Sequence, residues 1–192
     1  MATRLYLPSS GTSPVSTAYD AAWEDTSIGA RLPCYTAKQS TAMTTVSFDD
    51  ADASDKDILF RQYASLALSS GQTITGSQIL EFQIRASEAN VGNQLFTALG
   101  IRIVAEDGST IQKTVLAVTR DGTELTTALT NRRLTATSAA TNYTTVAGDR
   151  LLIEVGVGGD PIITLSHDSS IRIGDNDATD LPENDTATAD NN

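Results

Sequence analysis

The chain has 192 residues and a mass of 20.2 kDa, enough for one domain that buries about 70% of its unfolded surface, so its stability requires neither a metal nor a disulfide. Its formal charge of −11 and pI near 4.3, with 13 basic residues scattered along the whole length, exclude a nucleic-acid backbone as partner, because phosphate binding needs clustered Lys and Arg. Hydrophobic residues make up 40% and aromatic residues 5%, with Thr, Ser and Ala abundant, which suits many short strands better than a helical bundle.

In chain order, residues 1–42 are expected to form an extended, irregular arm. The opening Met1-Ala-Thr-Arg-Leu-Tyr-Leu-Pro8 has no apolar core of about 7–15 residues such as a secretory signal carries. No run approaches the roughly 20 apolar residues of a membrane-spanning helix, so no membrane partner is expected. Cys34, the sole cysteine, cannot form an internal disulfide, which fits folding in a reducing cytoplasm. Trp23, the only tryptophan, is placed to anchor the arm either on the body of the protein or on a neighbouring subunit.

Residues 43–174 carry the strand patterns. A first strand spans Met43 to Phe48, an Asp-rich loop follows from Asp49 to Asp57, and a second strand runs from Ile58 towards Leu68. Leu80, Phe82, Ile84 and Ala86 then alternate with Glu81, Gln83 and Arg85; Leu99, Ile101, Ile103 and Ala105 alternate with Gly100, Arg102 and Val104. This two-residue period puts one face in a core and the other in water. The polar turn between the two runs predicts that they pair antiparallel at the centre of the sheet. Two Asp-Gly turns, at Asp107-Gly108 and Asp121-Gly122, flank Val115 to Val118 and predict a meander.

Further strands are expected at Arg132 to Ala136, Leu151 to Val157, Ile162 to Leu165 and Ser169 to Ile173. That makes about eight to ten strands with no helical crossovers, the pattern of an all-β, antiparallel β-sandwich, jelly-roll-like. Residues 175–192 turn acidic, with Asp175, Asp177, Asp180, Glu183, Asp185 and Asp190, and are expected as a flexible tail.

No constellation in the sequence predicts catalysis. His167-Asp168 has no Gly-x-Ser-x-Gly elbow to serve, and Cys34 has no base near it in sequence. Gly158-Gly-Asp-Pro161 lacks the Lys and Ser of a phosphate-binding loop. One Cys and one His cannot supply the four ligands of a zinc site. Glu81 with Glu154 or Glu106 would be the carboxylate pair of a glycosidase if facing strands brought them together, although carboxylates at outward strand positions are ordinarily a wet surface. For a sugar-binding role the stacking candidates are Trp23, Tyr35, Tyr63 and Tyr143.

No cofactor is expected. Calcium is the one ion left open, in the loops holding Asp49, Asp50, Asp52, Asp55 and Asp57 or Asp175, Asp177 and Asp180, although Asp180 and Thr186 stand where an EF-hand loop needs Gly and Glu.

Several phrases carry a likeness: Met1-Ala-Thr-Arg-Leu-Tyr-Leu-Pro8, Ala18-Tyr-Asp-Ala-Ala-Trp-Glu24, Asp55-Lys-Asp-Ile-Leu-Phe-Arg-Gln-Tyr63, Arg120-Asp-Gly-Thr-Glu124, and Gly158-Gly-Asp-Pro161 before His167-Asp168. Together they resemble structural proteins of tailed-bacteriophage particles, over most of the chain, and none is a catalytic signature. The resemblance implies a virion component made in the host cytoplasm, a capsid decoration or auxiliary head protein bound to the major capsid protein or other virion proteins as a homo-oligomer such as a trimer. A ring-forming tail or neck protein and a surface carbohydrate-binding module are the alternatives. Docking on capsid or subunit is expected at Arg4, Leu5, Tyr6, Leu7 and Trp23 of the arm, so that removing residues 1–30 abolishes particle binding and leaves a folded sandwich.

Overall fold

The computed structural model describes residues 3–37, 39, 42–52, 54–159 and 166–174. Among them the chain forms no helix and eleven strands: β1 (Ala30–Pro33), β2 (Thr44–Phe48), β3 (Asp57–Ala64), β4 (Thr73–Ile74), β5 (Ile79–Glu88), β6 (Leu95–Val104), β7 (Ile111–Arg120), β8 (Thr130–Thr137), β9 (Tyr143–Thr144), β10 (Arg150–Gly159) and β11 (Ser169–Ile173). One sheet has the order β1-β3-β10-β6-β7 and the other β2-β11-β5-β8, while β4 and β9 pair as a short ribbon. All pairings are antiparallel except β1 on β3. The protein is thus the antiparallel all-β sandwich that its alternating runs predict. The expected strand at Ile162 to Leu165 and the acidic tail lie outside the described residues.

Alternation identifies the buried face of each strand. Ile84 and Ala86 of β5, Leu134 of β8 and Ile171 and Ile173 of β11 meet Leu95 and Leu99 of β6, Phe60 and Tyr63 of β3, and Ile153, Val155 and Val157 of β10 in one core between the sheets. Each Val, Leu, Ile or Phe side chain among them, taken fully out of water, contributes about 1.5–3 kcal/mol.

Two expectations about neighbours are corrected. β5 and β6 do not pair; they lie in opposite sheets, with Glu88 and Asn93 of their connection buried as the chain crosses over. Their apolar faces meet across the sandwich. A period of two names the face that seeks the core and leaves open whether the neighbour lies beside it in the sheet or opposite it. The meander fails at its second turn. Asp107-Gly108 closes a β6–β7 hairpin, but after Asp121-Gly122 the chain leaves that sheet, buries Leu125 against the core and joins β8 to β5.

At the first of these turns Asp107 accepts hydrogen bonds from the Ser109 and Thr110 amides at 2.8 and 2.9 Å and from the Thr110 hydroxyl at 2.7 Å, which hold its carboxyl down to about 2. Gly108 has φ +71, and a Cβ there would sit 2.2 Å from Val15 Cγ2, so only glycine lets the arm pass over the hairpin.

Candidate functional site

The five residues expected to dock divide into two places. Trp23 lies against the outer face of the five-stranded sheet and is 4% exposed, packed with Leu59 of β3 and Ala98 of β6. Its ring crosses β10 where a Cβ on Gly156 would be 2.7 Å from Trp23 Cζ3 and 2.0 Å from the Ile58 carbonyl oxygen, so the approach depends on glycine.

Beside it the indole Nε1 donates to Glu154 Oε2 at 3.0 Å. Glu154 is 1% exposed and also accepts from Arg102 Nη2 at 2.6 Å, Gln62 Nε2 at 2.8 Å and the Asp20 amide at 3.1 Å. Arg102 reaches Asp20 at 3.4 Å as well, and Thr17 donates to Gln62 Oε1 at 2.5 Å. These partners bring residues 17–23 of the chain onto β3, β6 and β10. The charges are paired and hydrogen-bonded, as buried charges must be. The alternating pattern predicts a wet face at Glu154 and Arg102. The signal that it is covered is the pair of apolar residues, Leu152 and Val104, on that same face of β10 and β6, both buried against Val15.

Arg4, Leu5, Tyr6 and Leu7 lie elsewhere, at a cleft of about 1410 Å³ between the sheets. Tyr6 and Tyr35 exchange backbone hydrogen bonds of 2.8 and 3.2 Å, while Leu5 and Leu7 are half-buried on the core. The cleft floor is Cys34, Tyr63, Ile84, Leu99 and Ile153, and Leu66 and Ile79 stand exposed at its rim. Burial pushes the Cys34 thiol up to about 12 and raises the Tyr63 phenol, whose oxygen makes no hydrogen bond among the described residues.

The cleft also borders an open sheet edge. β5 pairs with β8 from Ile79 to Ala86, but β11 reaches along its other side only from Glu88 to Arg85. Among the described residues no strand covers Ile79 to Ile84 on that side. An edge of this kind accepts a further strand.

The remaining sequence candidates are held by other contacts. His167 is buried; its amide donates to the Asp50 carbonyl at 2.9 Å and its Nδ1 meets the Asp52 carbonyl at 2.6 Å. A carbonyl only accepts, so Nδ1 carries the proton. Asp168 accepts from the Asp50 amide at 2.9 Å, and the pair therefore fastens the Asp-rich loop to the start of β11. Within that loop Lys56 bonds Asp50 and Asp52, and Arg120 bonds Asp55 and Asp57 at 2.8 and 2.7 Å. Among the described residues no three His, Cys, Asp or Glu side chains converge as metal ligands.

Glu81 and Glu154 occupy outward positions of opposite sheets and cannot flank one bond. Trp23 and Tyr63 are too buried to stack a sugar, which leaves Tyr35 and Tyr143, both half-buried.

Glu88 was not among the sequence candidates. It is 2% exposed, Oε2 accepts from the Leu95 amide at 3.1 Å, and Oε1 has no partner among the described residues. Burial, more than the nearby Glu124, raises its pKa. A carboxyl raised on folding favours the protonated fold, so its contribution is fully present below the unfolded pKa and is lost as pH rises through the folded value. Glu88→Gln should therefore gain stability over the wild type at pH 7.5 and little at pH 4. Melting both proteins at the two pH values checks this, and an equal gain at both would rule it out.

No protein-family model matches the chain, and no curated protein matches it. Among solved structures it is similar to a CocE/NonD family hydrolase from Staphylococcus aureus, at 9% identity and TM-score 0.42 over 84% of this chain and 34% of that one. It is also similar to the infectious bursal disease virus Gx strain structure, at 13% identity and TM-score 0.24 over 72% of this chain and 33% of that one, and to the T13 IBDV viral particle, at 17% identity and TM-score 0.25 over 73% and 33%. The chain spans about a third of the length of each. At such TM-scores none of these likenesses carries an assignment.

Proposed function

We propose that this chain is a structural protein of a virus particle and, more narrowly, a capsid decoration protein of a tailed bacteriophage. The observation that supports this best is the winding. With β1 and the β4/β9 ribbon set aside, β2-β11-β5-β8 faces β3-β10-β6-β7, the order that two interlocked Greek keys give in a jelly roll. Jelly rolls serve as viral capsid and lectin domains.

The phrases that resemble virion proteins fall on contacts that hold this winding: Trp23 on Glu154, Arg120 on Asp55 and Asp57, His167-Asp168 on the Asp-rich loop. Docking is assigned to the cleft end, where Leu5, Tyr6 and Leu7 adjoin exposed Leu66 and Ile79 and the open edge of β5. Exposed apolar patches of this kind mark protein contacts. No reaction takes part; modest contacts repeated over a symmetric lattice, with the decoration protein as a homo-oligomer, hold many copies on the shell.

The deletion that tests docking must be shorter than residues 1–30, which include Trp23 and the first residue of β1. Cosedimentation of heads lacking this protein with the full chain should show saturable binding, and a chain without residues 1–7 should bind at least tenfold more weakly while still melting cooperatively. No binding by the full chain would overturn the decoration role, and equal binding by both would overturn the assignment to the arm. A carbohydrate-binding module is the second reading, favoured by the same winding. It predicts glycan binding lost in Tyr143→Ala.

A further inference from the structure

The apolar faces of the two sheets part at the cleft end. On β5 the core face is closed at Ala86 and Ile84 and half-open at Phe82 and Leu80. Opposite it, Leu99 of β6 and Val155 of β10 are closed, while Ile101 and Leu151 on the same faces are half-open. Leu80, Phe82, Ile101 and Leu151 all pack against the core and line the cleft of about 1410 Å³. Sites for drug-sized ligands measure about 300–1,000 Å³, so the space admits a molecule of that class.

The floor determines what kind of molecule fits. Ile84, Leu99 and Ile153 are aliphatic, and the two polar groups beside them are the Tyr63 phenol and the Cys34 thiol. Both are held in their neutral forms by burial. Tyr63 is 1% exposed and its oxygen has no partner among the described residues, although a buried hydroxyl ordinarily has one. A phenol donates one hydrogen bond, and the occupant is where the acceptor is missing.

These features discriminate among occupants. A peptide brings a backbone donor and acceptor with every residue, and an aliphatic floor with one hydroxyl leaves them unpaired. A carboxylate carried to the floor would lie there without a cation, at a large desolvation cost. An uncharged molecule with an alkyl body and one carbonyl matches on both counts. Its chain covers the half-open side chains, and its carbonyl accepts from Tyr63.

We propose that the cleft between the sheets is a binding site for a neutral alkyl compound carrying a single hydrogen-bond acceptor, with the Tyr63 hydroxyl as the donor that orients it. The site lies beneath the residues assigned to docking and is a separate property of the fold. It stands whether or not the chain belongs to a particle.

The test titrates methyl octanoate, octane and octanoate into the full chain and follows the isoleucine methyl groups by NMR. Methyl octanoate should saturate a single site and shift the Ile84, Ile101 and Ile153 signals. Octanoate at pH 7.5 should bind at least about tenfold more weakly than the ester. Tyr63→Phe should weaken the ester by about five- to tenfold, the net worth of one hydrogen bond, and leave octane unchanged. The same variant should melt at the wild-type temperature or above it, since it removes a buried hydroxyl that the free protein leaves unpaired. Leu80→Trp, at a half-open position, places an indole in the space and should abolish binding of ester and octane while still melting cooperatively.

Absence of saturable binding by the ester would overturn the proposal, as would binding that survives Leu80→Trp. Octanoate binding as tightly as the ester would overturn the uncharged class of ligand. Equal ester affinity in Tyr63→Phe, or a Tm lowered by that substitution, would show that the phenol is not waiting for an acceptor and would overturn its orienting role.

Discussion

Arg102→Ala is expected to cost about 3–5 kcal/mol of folding free energy, because it leaves Glu154 charged and buried without its cation. Glu154 would keep the indole, the Gln62 amide and the Asp20 amide as donors, and none of them carries a charge. For a domain of this size about 2–4 °C of Tm accompanies each kcal/mol, so the melting temperature should fall by about 10 °C or more. The double variant Arg102→Leu with Glu154→Leu removes both charges and should recover most of the loss, since apolar replacement of a whole buried pair is often neutral. Equilibrium unfolding in urea of the three proteins checks both statements. A single variant as stable as the wild type would mean that Glu154 is not held as described.

Trp23→Ala should cost about 3–5 kcal/mol in the isolated chain, the range for truncating a buried aromatic side chain. It opens a space over Gly156, strips cover from Leu59 and Ala98 and removes one donor to Glu154. Trp23→Phe keeps most of the ring and should lose about 1–2 kcal/mol, chiefly for the missing hydrogen bond. The pair of variants separates the two roles open to Trp23 from sequence. An anchor on the body destabilises the free protein when removed, whereas a residue reserved for a neighbouring subunit leaves the free protein's unfolding curve in place and weakens assembly alone.

The sequence made the strands legible and hid their neighbours. Alternation in Leu80 to Ala86 and in Leu151 to Val157 identified both the elements and their core faces, because the period of two is a local property of an extended backbone. Whether β5 lies beside β6 or opposite it is decided by the crossing at Glu88 and Asn93, and no period reports that. β1 was missed for a related reason. Ala30–Pro33 is short, contains proline and lies at an edge, parallel to β3, so it shows neither length nor alternation.

The site was legible in part. Leu5, Tyr6 and Leu7 were marked as an apolar stretch without a strand pattern, and they border the cleft. The Glu154 cluster was not legible because its members come from β3, β6, β10 and the segment before β1, distant in sequence and polar in type. Acidic and basic residues at alternate strand positions look alike whether water or a covering segment lies over them. Only the apolar partners on the same face, Ala98, Val104 and Leu152, distinguish the two cases.

The proposed role is tested most directly by the copy number of this chain in gradient-purified particles, measured by quantitative mass spectrometry against the major capsid protein. A capsid decoration protein should be present in hundreds of copies at a simple ratio to the capsid protein, as binding at equivalent lattice sites requires. A count of tens would contradict decoration in favour of a tail, neck or vertex part, and absence from particles would contradict the virion role altogether.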